Sequence, residues 1–184
     1  MTAQDIADLL NKEFYENYSV SVGNIILSTG SGSNLIALLS ELIENSSRTS
    51  CKCEFRAAYV VEHLYFRDNH FKNEFCNILL DIFPKIKNES TKRHIGKVMA
   101  HALKKKDILP SVLDCEMIAS ACVDWCIKPK VRVAVVIWAM ECLFQLKDRV
   151  EWLPYIIEDM IEKLSADPTP GMAVRLRRWS QISI

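Results

Sequence analysis

Residues 51–66 read CKCEFRAAYVVEHLYF, and this stretch indicates how most of the chain folds. Four apolar residues in it follow the spacing of a single buried helix face: Ala57, Val60, Val61 and Leu64. Two thiols, a histidine and a carboxylate lie in the same segment, so it also raises the question of a chemical site. The apolar spacing predicts a packed helix, entered at Cys51 and Cys53.

The same pattern returns later in the chain. A shift of 79 residues lays VEHLY (61–65) on MECLF (140–144), and it lays Tyr59 on Trp138. About half that shift, 38 residues, brings His63 onto His101. The recurrence predicts a unit of roughly 40 residues made of two paired helices, a length that HEAT and armadillo repeats share.

Helical periodicity extends over nearly the whole sequence, and no segment alternates with period two for long enough to predict a strand. The first helix is expected from Asp5 to Tyr18, with Ile6, Leu9, Leu10 and Phe14 on its apolar stripe. The other predicted helices cover 20–27, 34–44, 53–67, 71–86, 91–105, 113–127, 131–146, 151–164 and 171–181. The predicted fold is therefore all-α: a right-handed α-α superhelix of antiparallel helix pairs, forming one domain over residues 1–184. Residues 1–50 are expected to be less regular, residues 51–184 to stack in pairs, and the last helix to cap the stack.

Composition narrows the functional classes. The 184 residues carry no net charge, 49% of them are hydrophobic, and seven are cysteines. The N-terminus lacks a basic region followed by an apolar one, and no apolar run approaches the ~20 residues of a membrane span. A cytoplasmic protein with reduced thiols, no membrane association and no cofactor is expected. Charge is uneven, since residues 85–132 carry eleven bases and five acids, and such a surface favours a protein partner or self-contact.

The chain resembles a small bacterial helical-repeat family of HEAT/armadillo type, over about Cys51 to Trp179. The likeness lies in helix order and in scattered positions within FRAAYVVEHL (55–64), IASACVDWCI (118–127), the segment 133–164 and AVRLRRW (173–179). Members of this family are functionally uncharacterised, and some carry the automated label adenylosuccinate lyase. Lyases of that superfamily use a mobile loop with a Met-Pro-x-Lys-x-Asn stretch. The loop STGSGSN (28–34) has no Met, Pro or Lys, so the sequence does not predict lyase activity.

Metal and nucleophile patterns are weak. His63 follows Cys51 and Cys53, ten residues after the second cysteine, but no second ligand pair completes a four-ligand zinc site. Cys115, Cys122 and Cys126 share one helical face, where small buried thiols fit well. No metal ligand, catalytic residue or cofactor-binding residue is predicted.

Two glutamates lie in unusual surroundings. Glu62 and Glu141 are 79 residues apart, and both lie on apolar, aromatic helix faces. A carboxylate in such a place needs a partner, because burying it unpaired costs several kcal/mol. One interpretation is an ion pair between repeats, with a cation chosen from Arg56, Arg93, Lys97 and Arg132. The other is a pair of acids that line a ligand groove. The candidate groove or inter-repeat residues are Arg56, Tyr59, Glu62, Trp138 and Glu141.

Function is expected to be non-catalytic: a helical-repeat scaffold for protein–protein interaction, whose partner is another protein or a second copy of the chain. The alternative is a DNA-binding solenoid like those of alkylation repair, which need a basic concave surface with aromatic residues. A candidate basic patch exists for it: Lys128, Lys130, Arg132, Arg175, Arg177 and Arg178. Zero net charge argues against strong affinity for a duplex. An enzyme, as the lyase label implies, is the third possibility.

Overall fold

A computed structural model describes residues 1–13, 15–45 and 51–182, with the backbone alone at Cys51. These residues form ten α-helices and no strand. The helices are α1 (Ala3–Asn11), α2 (Tyr18–Ser28), α3 (Gly32–Glu44), α4 (Cys51–Arg67), α5 (Asn69–Ile82), α6 (Glu89–Lys105), α7 (Val112–Ile127), α8 (Val133–Leu146), α9 (Leu153–Ser165) and α10 (Pro170–Trp179). The prediction of an all-α chain is confirmed. None of the described helices is long and apolar enough to cross a membrane.

Helix ends follow local chemistry. Thr2 and Ser111 form capping boxes with Asp5 and Asp114, and Asp68 accepts a hydrogen bond from the Phe71 amide at the start of α5. The predicted helix 71–86 was too long, because α5 ends at Ile82 and a 3-10 turn covers Phe83–Lys85. Pro84 accounts for this end, since it has no amide hydrogen to continue the helix. Every other predicted end after residue 50 lies within two residues of the observed one.

The prediction for the first helix was wrong. α1 ends at Asn11, and a second helix begins at Tyr18, where the sequence predicted one helix from Asp5 to Tyr18. The Tyr18 hydroxyl donates to the Leu10 carbonyl at 2.9 Å. Arg56 of α4 donates to the carbonyls of Leu10 and Lys12 at 2.6 and 2.7 Å. These side chains from later in the chain satisfy the carbonyls at the end of α1, so the backbone can turn away there. Phe14 lies outside the described residues.

Alternate helices pack side by side. α2 packs on α4, α4 on α6, α6 on α8 and α8 on α10, and we call these five helices the even-helix row. α3 packs on α4 and α5, α7 on α8, and α9 on α8 and α10. The apolar face predicted from the opening stretch is confirmed, because Ala57, Val60, Val61 and Leu64 are fully buried. Residues 79 positions later, Met140 and Leu143 among them, are fully buried in α8.

Gly96 sets how closely two helices of this row approach. A Cβ atom at this position would lie 3.3 Å from Cβ of Trp138 and 3.6 Å from Cζ3 of Trp125. The Gly96 carbonyl also faces Cys142 of α8, whose Sγ lies 3.7 Å from the oxygen. α6 and α8 therefore meet at a point with no room for a larger residue.

Enlarging Gly96 is expected to destabilise the protein. Gly96→Val forces side chains between α6 and α8 apart, and overpacking of this kind costs about 1–3 kcal/mol. Urea unfolding followed by circular dichroism measures the change in free energy of unfolding. Gly171→Ala is the matched control, because nothing lies within 4 Å of a Cβ at that position. Equal stability of Gly96→Val and wild type would show that the contact yields at no cost.

Candidate functional site

Glu62 joins α4 to α6. Its Oε2 lies 2.5 Å from Nδ1 of His94, and its Oε1 accepts a hydrogen bond from Nζ of Lys97 at 2.6 Å. The Tyr59 ring packs against the His94 ring, with centroids 5.0 Å apart. The Glu62 side chain is mostly buried, so the charge depends on these two partners.

Glu141 joins α8 to α10 in the same way. Its Oε1 accepts hydrogen bonds from Nη1 of Arg175 at 3.1 Å and from Nε1 of Trp179 at 3.3 Å. Nη1 of Arg178 lies 4.0 Å from the same oxygen. Each of the two carboxylates therefore bridges to the next helix of the even-helix row.

Burial alone raises the pKa of Glu62, but the hydrogen bonds from His94 and Lys97 outweigh it, and the pKa falls below its ordinary value. Glu62 is consequently an anion at neutral pH and a weak base. Ionised Glu62 stabilises the fold through its two partners.

A pocket of about 310 Å³ opens beside both bridges. We call it the cationic pocket, and its lining comes from four helices: Phe66 of α4; Lys97, Ala100, His101 and Lys104 of α6; Trp138, Glu141 and Gln145 of α8; and Arg175 and Arg178 of α10. Two of its cations lie over aromatic rings, Lys97 at 5.0 Å from the Phe66 centroid and Arg175 at 5.6 Å from the Trp138 centroid. The pocket thus combines positive charge with flat apolar surface.

His101 forms one edge of the cationic pocket. Its ring packs edge-on against Phe66 at 4.9 Å between centroids, and its Nδ1 lies 3.8 Å from Oδ2 of Asp107. Nδ1 is buried and has no hydrogen bond to any described residue. Burial lowers the pKa of His101, with nearby lysines adding to the effect and Asp107 opposing it. Asp107 is held by Tyr65 at 2.7 Å and Lys72 at 3.3 Å, which fixes the edge in place.

The structure brings some of the predicted groove residues together and separates others. Glu141 and Trp138 line the cationic pocket. Glu62 and Tyr59 are not in its lining: Glu62 bonds to the lining residue Lys97, and Tyr59 packs on His94. Arg56 lies elsewhere: it is only 3% exposed and its bonds go to the end of α1. Of the four cations proposed as partners for the glutamates, Lys97 pairs with Glu62.

The candidate basic patch divides into two groups. Lys128, Lys130 and Arg132 lie at the link between α7 and α8, where Arg132 donates to Oγ of Ser90 at 3.0 Å. The other three lie on α10: Arg175 and Arg178 at the cationic pocket, and Arg177 exposed, with its Nε donating to the Ala173 carbonyl. The lining of the cationic pocket includes none of the three residues at the link between α7 and α8.

Sequence reasoning named Lys97 as a possible ion-pair partner but did not group it with His101 and Lys104 in one site. These three residues of α6 are spaced i, i+4 and i+7, which places them on one helix face. The predicted helix 91–105 contained all three, and α6 ends at Lys105 as predicted. The partners of Glu141 also had a signal, because Arg175 is 34 residues further on, close to the 35 residues between Glu62 and Lys97.

The thiols of Cys53, Cys115 and Cys126 are poorly suited to chemistry. Burial raises the pKa of Cys53 and Cys115, and it raises the pKa of Cys126 to about 12. A protonated thiol is a poor nucleophile and a poor metal ligand. The Cys51 side chain lies outside the described residues, and His63 of α4 faces Gly23 of α2. No group of three or more metal-binding side chains occurs in the described part of the chain.

No protein-family model, curated protein or solved structure matches this chain. Function is therefore inferred from the geometry of the two bridges and the pocket between them.

Acid titration tests the Glu62 bridge. The lowered pKa of Glu62 means that its stabilisation is complete above the ordinary value of 4.5 and is lost as the pH falls through the lower folded-state value. Glu62→Gln should reduce the free energy of unfolding by about 1–3 kcal/mol at pH 5.5, and the deficit should shrink towards pH 3. Urea unfolding at several pH values measures it. Exposed Glu158 provides the control, since Glu158→Gln should track wild type throughout. A Glu62→Gln deficit that stays constant with pH would contradict an ionised bridge.

Proposed function

We propose that the chain is a non-catalytic helical-repeat scaffold that binds another protein through its even-helix row. In this proposal the helix pairs stack as a HEAT/armadillo-like right-handed superhelix, with the even-helix row on its inner face. One observation carries it: four successive helices of the row contribute side chains to a single pocket. Repeat proteins build their binding surfaces in this way, from side chains along one series of helices.

The ionisable residues of the row favour binding over catalysis. Glu62 is held as an anion by contacts with His94 and Lys97, and Glu141 is held by Arg175 and the Trp179 indole. General acid–base catalysis needs a group whose pKa lies near the working pH, and Glu62 is shifted in the opposite direction. Such side chains position and orient a bound surface.

Nucleic-acid binding is a second candidate, favoured by a specific observation. The cationic pocket places Lys104 and Arg178 beside the rings of Phe66 and Trp138. Cations with flat rings suit phosphates and stacked bases. A strand, however, carries a phosphate at every nucleotide and needs a continuous track of cations. Glu141 lies in the pocket wall, and Lys128, Lys130 and Arg132 at the start of α8 are not part of the pocket lining.

Affinity capture from native lysate tests the proposal. Immobilised wild type and Trp138→Ala are compared, with and without nuclease. Tyr155→Ala is the matched control, because Tyr155 is an aromatic residue of α9 that is 75% exposed and lies outside the pocket lining. We expect proteins that wild type and Tyr155→Ala retain, that Trp138→Ala loses, and that nuclease does not release. Circular dichroism checks that Trp138→Ala is folded, and Arg178→Glu provides a second pocket variant at an exposed position.

Two outcomes would contradict the scaffold proposal. Retention of the same proteins by wild type and both pocket variants would show that the even-helix row is not the binding face. Release of all captured protein by nuclease would favour the nucleic-acid candidate.

A further inference from the structure

Lys104 and Arg178 give the cationic pocket positive charge that the acids around it do not neutralise. Lys97 is engaged by Glu62 and Arg175 by Glu141, at 2.6 and 3.1 Å. Arg178 lies 4.0 Å from Glu141 and is 54% exposed, and Lys104 has no carboxylate within ion-pair distance in the described residues. Lys104 and Arg178 come from α6 and α10 and line the same pocket, so they converge on one volume.

The surroundings of these two cations suit an anion attached to a peptide. Phe66, Ala100 and Trp138 give the pocket an apolar wall, against which the carbon atoms of a bound side chain can pack. The Gln145 amide, in the same lining, can donate to a peptide carbonyl or accept from a peptide amide. A volume of about 310 Å³ is at the small end for ligand pockets and matches one side chain with its adjoining backbone.

We propose that the cationic pocket binds an aspartate or glutamate side chain of an acidic segment in the partner protein. The inference rests on the scaffold function proposed above and names the chemistry of its partner. Lys104 and Arg178 meet the carboxylate, while Trp138 and Phe66 pack against its aliphatic carbons. Glu62 neutralises Lys97 and Glu141 neutralises Arg175, so Lys104 and Arg178 carry the remaining positive charge of the lining, which matches one carboxylate better than the continuous row of phosphates of a nucleic acid.

Fluorescence anisotropy with a labelled hexaglutamate peptide tests the inference. The pocket variant is Lys104→Glu/Arg178→Glu, in which both substituted residues are exposed and the fold is expected to survive. The control is Lys128→Glu/Lys130→Glu, which makes the same change in net charge at the link between α7 and α8. The pocket variant should bind at least about ten-fold more weakly than wild type, and the control within about two-fold, with affinity falling as salt rises.

A second measurement locates the binding. In the ¹H–¹⁵N spectrum of wild type, the Trp138 indole signal, assigned from the Trp138→Phe spectrum, should shift on adding hexaglutamate. Hexaglutamine should leave it unchanged. A shift that occurs equally with hexaglutamine would overturn the need for a carboxylate.

The remaining outcomes separate this inference from the scaffold function. Equal loss of binding in pocket and control variants would reduce the effect to net charge and overturn the inference. Tighter binding of a single-stranded oligothymidylate than of hexaglutamate, lost in the pocket variant, would also overturn it in favour of nucleic acid. If hexaglutamate fails to bind while lysate capture still depends on Trp138, the acidic-partner inference falls and the scaffold proposal stands.

Discussion

A carboxylate on an apolar helix face must be neutralised by a cation, and this requirement fixes two of the four contacts within the even-helix row. Glu62 meets it across to α6, and Glu141 meets it across to α10. Removing the cation from either bridge would leave a desolvated charge without its ion-pair partner, which costs several kcal/mol. Apolar packing supplies cohesion that is largely indifferent to register, whereas these bridges specify which helices meet and at what height.

The same bridges orient the groups that line the cationic pocket. Lys97 reaches Glu62 with its ammonium over the Phe66 ring, and Arg175 reaches Glu141 with its guanidinium over Trp138. Because a carboxylate and an aromatic ring already hold each of these cations, its side chain loses little conformational freedom when a ligand binds. The pocket is therefore preorganised by interactions whose first role is structural.

Local pattern was sufficient for most helices and insufficient where distant side chains intervene. Helices from Cys51 onward follow from apolar spacing, polar links and prolines. The core face of α4 was also placed correctly, at Ala57, Val60, Val61 and Leu64. The end of α1 depends on Arg56, which is 46 residues from Leu10, and no pattern within residues 1–18 contains that information. Buried Arg56 also shows why a charged residue one or two turns from a glutamate need not be its partner.

Only part of the candidate site could be predicted from the sequence, for a similar reason. The need for partners at Glu62 and Glu141 follows from their apolar surroundings, and Lys97 was one of four cations named as possible partners. The pocket itself requires knowing which faces of α4, α6, α8 and α10 meet, and that depends on close packing at Gly96 and on the rotation of each helix. Helical periodicity in a sequence specifies which residues form the apolar face of each helix, but not the angle at which two helices pack.

Arg178 of α10 lies between two acids: Glu141 within the protein, 4.0 Å away, and the carboxylate that we propose for the partner. α10 packs on α8 and α9 beside that contact. In the proposed complex the partner's carboxylate competes with Glu141 for Arg178, so pocket occupancy and the docking of α10 become one linked equilibrium. Linkage is reciprocal: whatever the ligand does to the attachment of α10, a change in that attachment does equally to the affinity for the ligand. The C-terminal helix is thus a point from which affinity can be tuned without any substitution in the pocket.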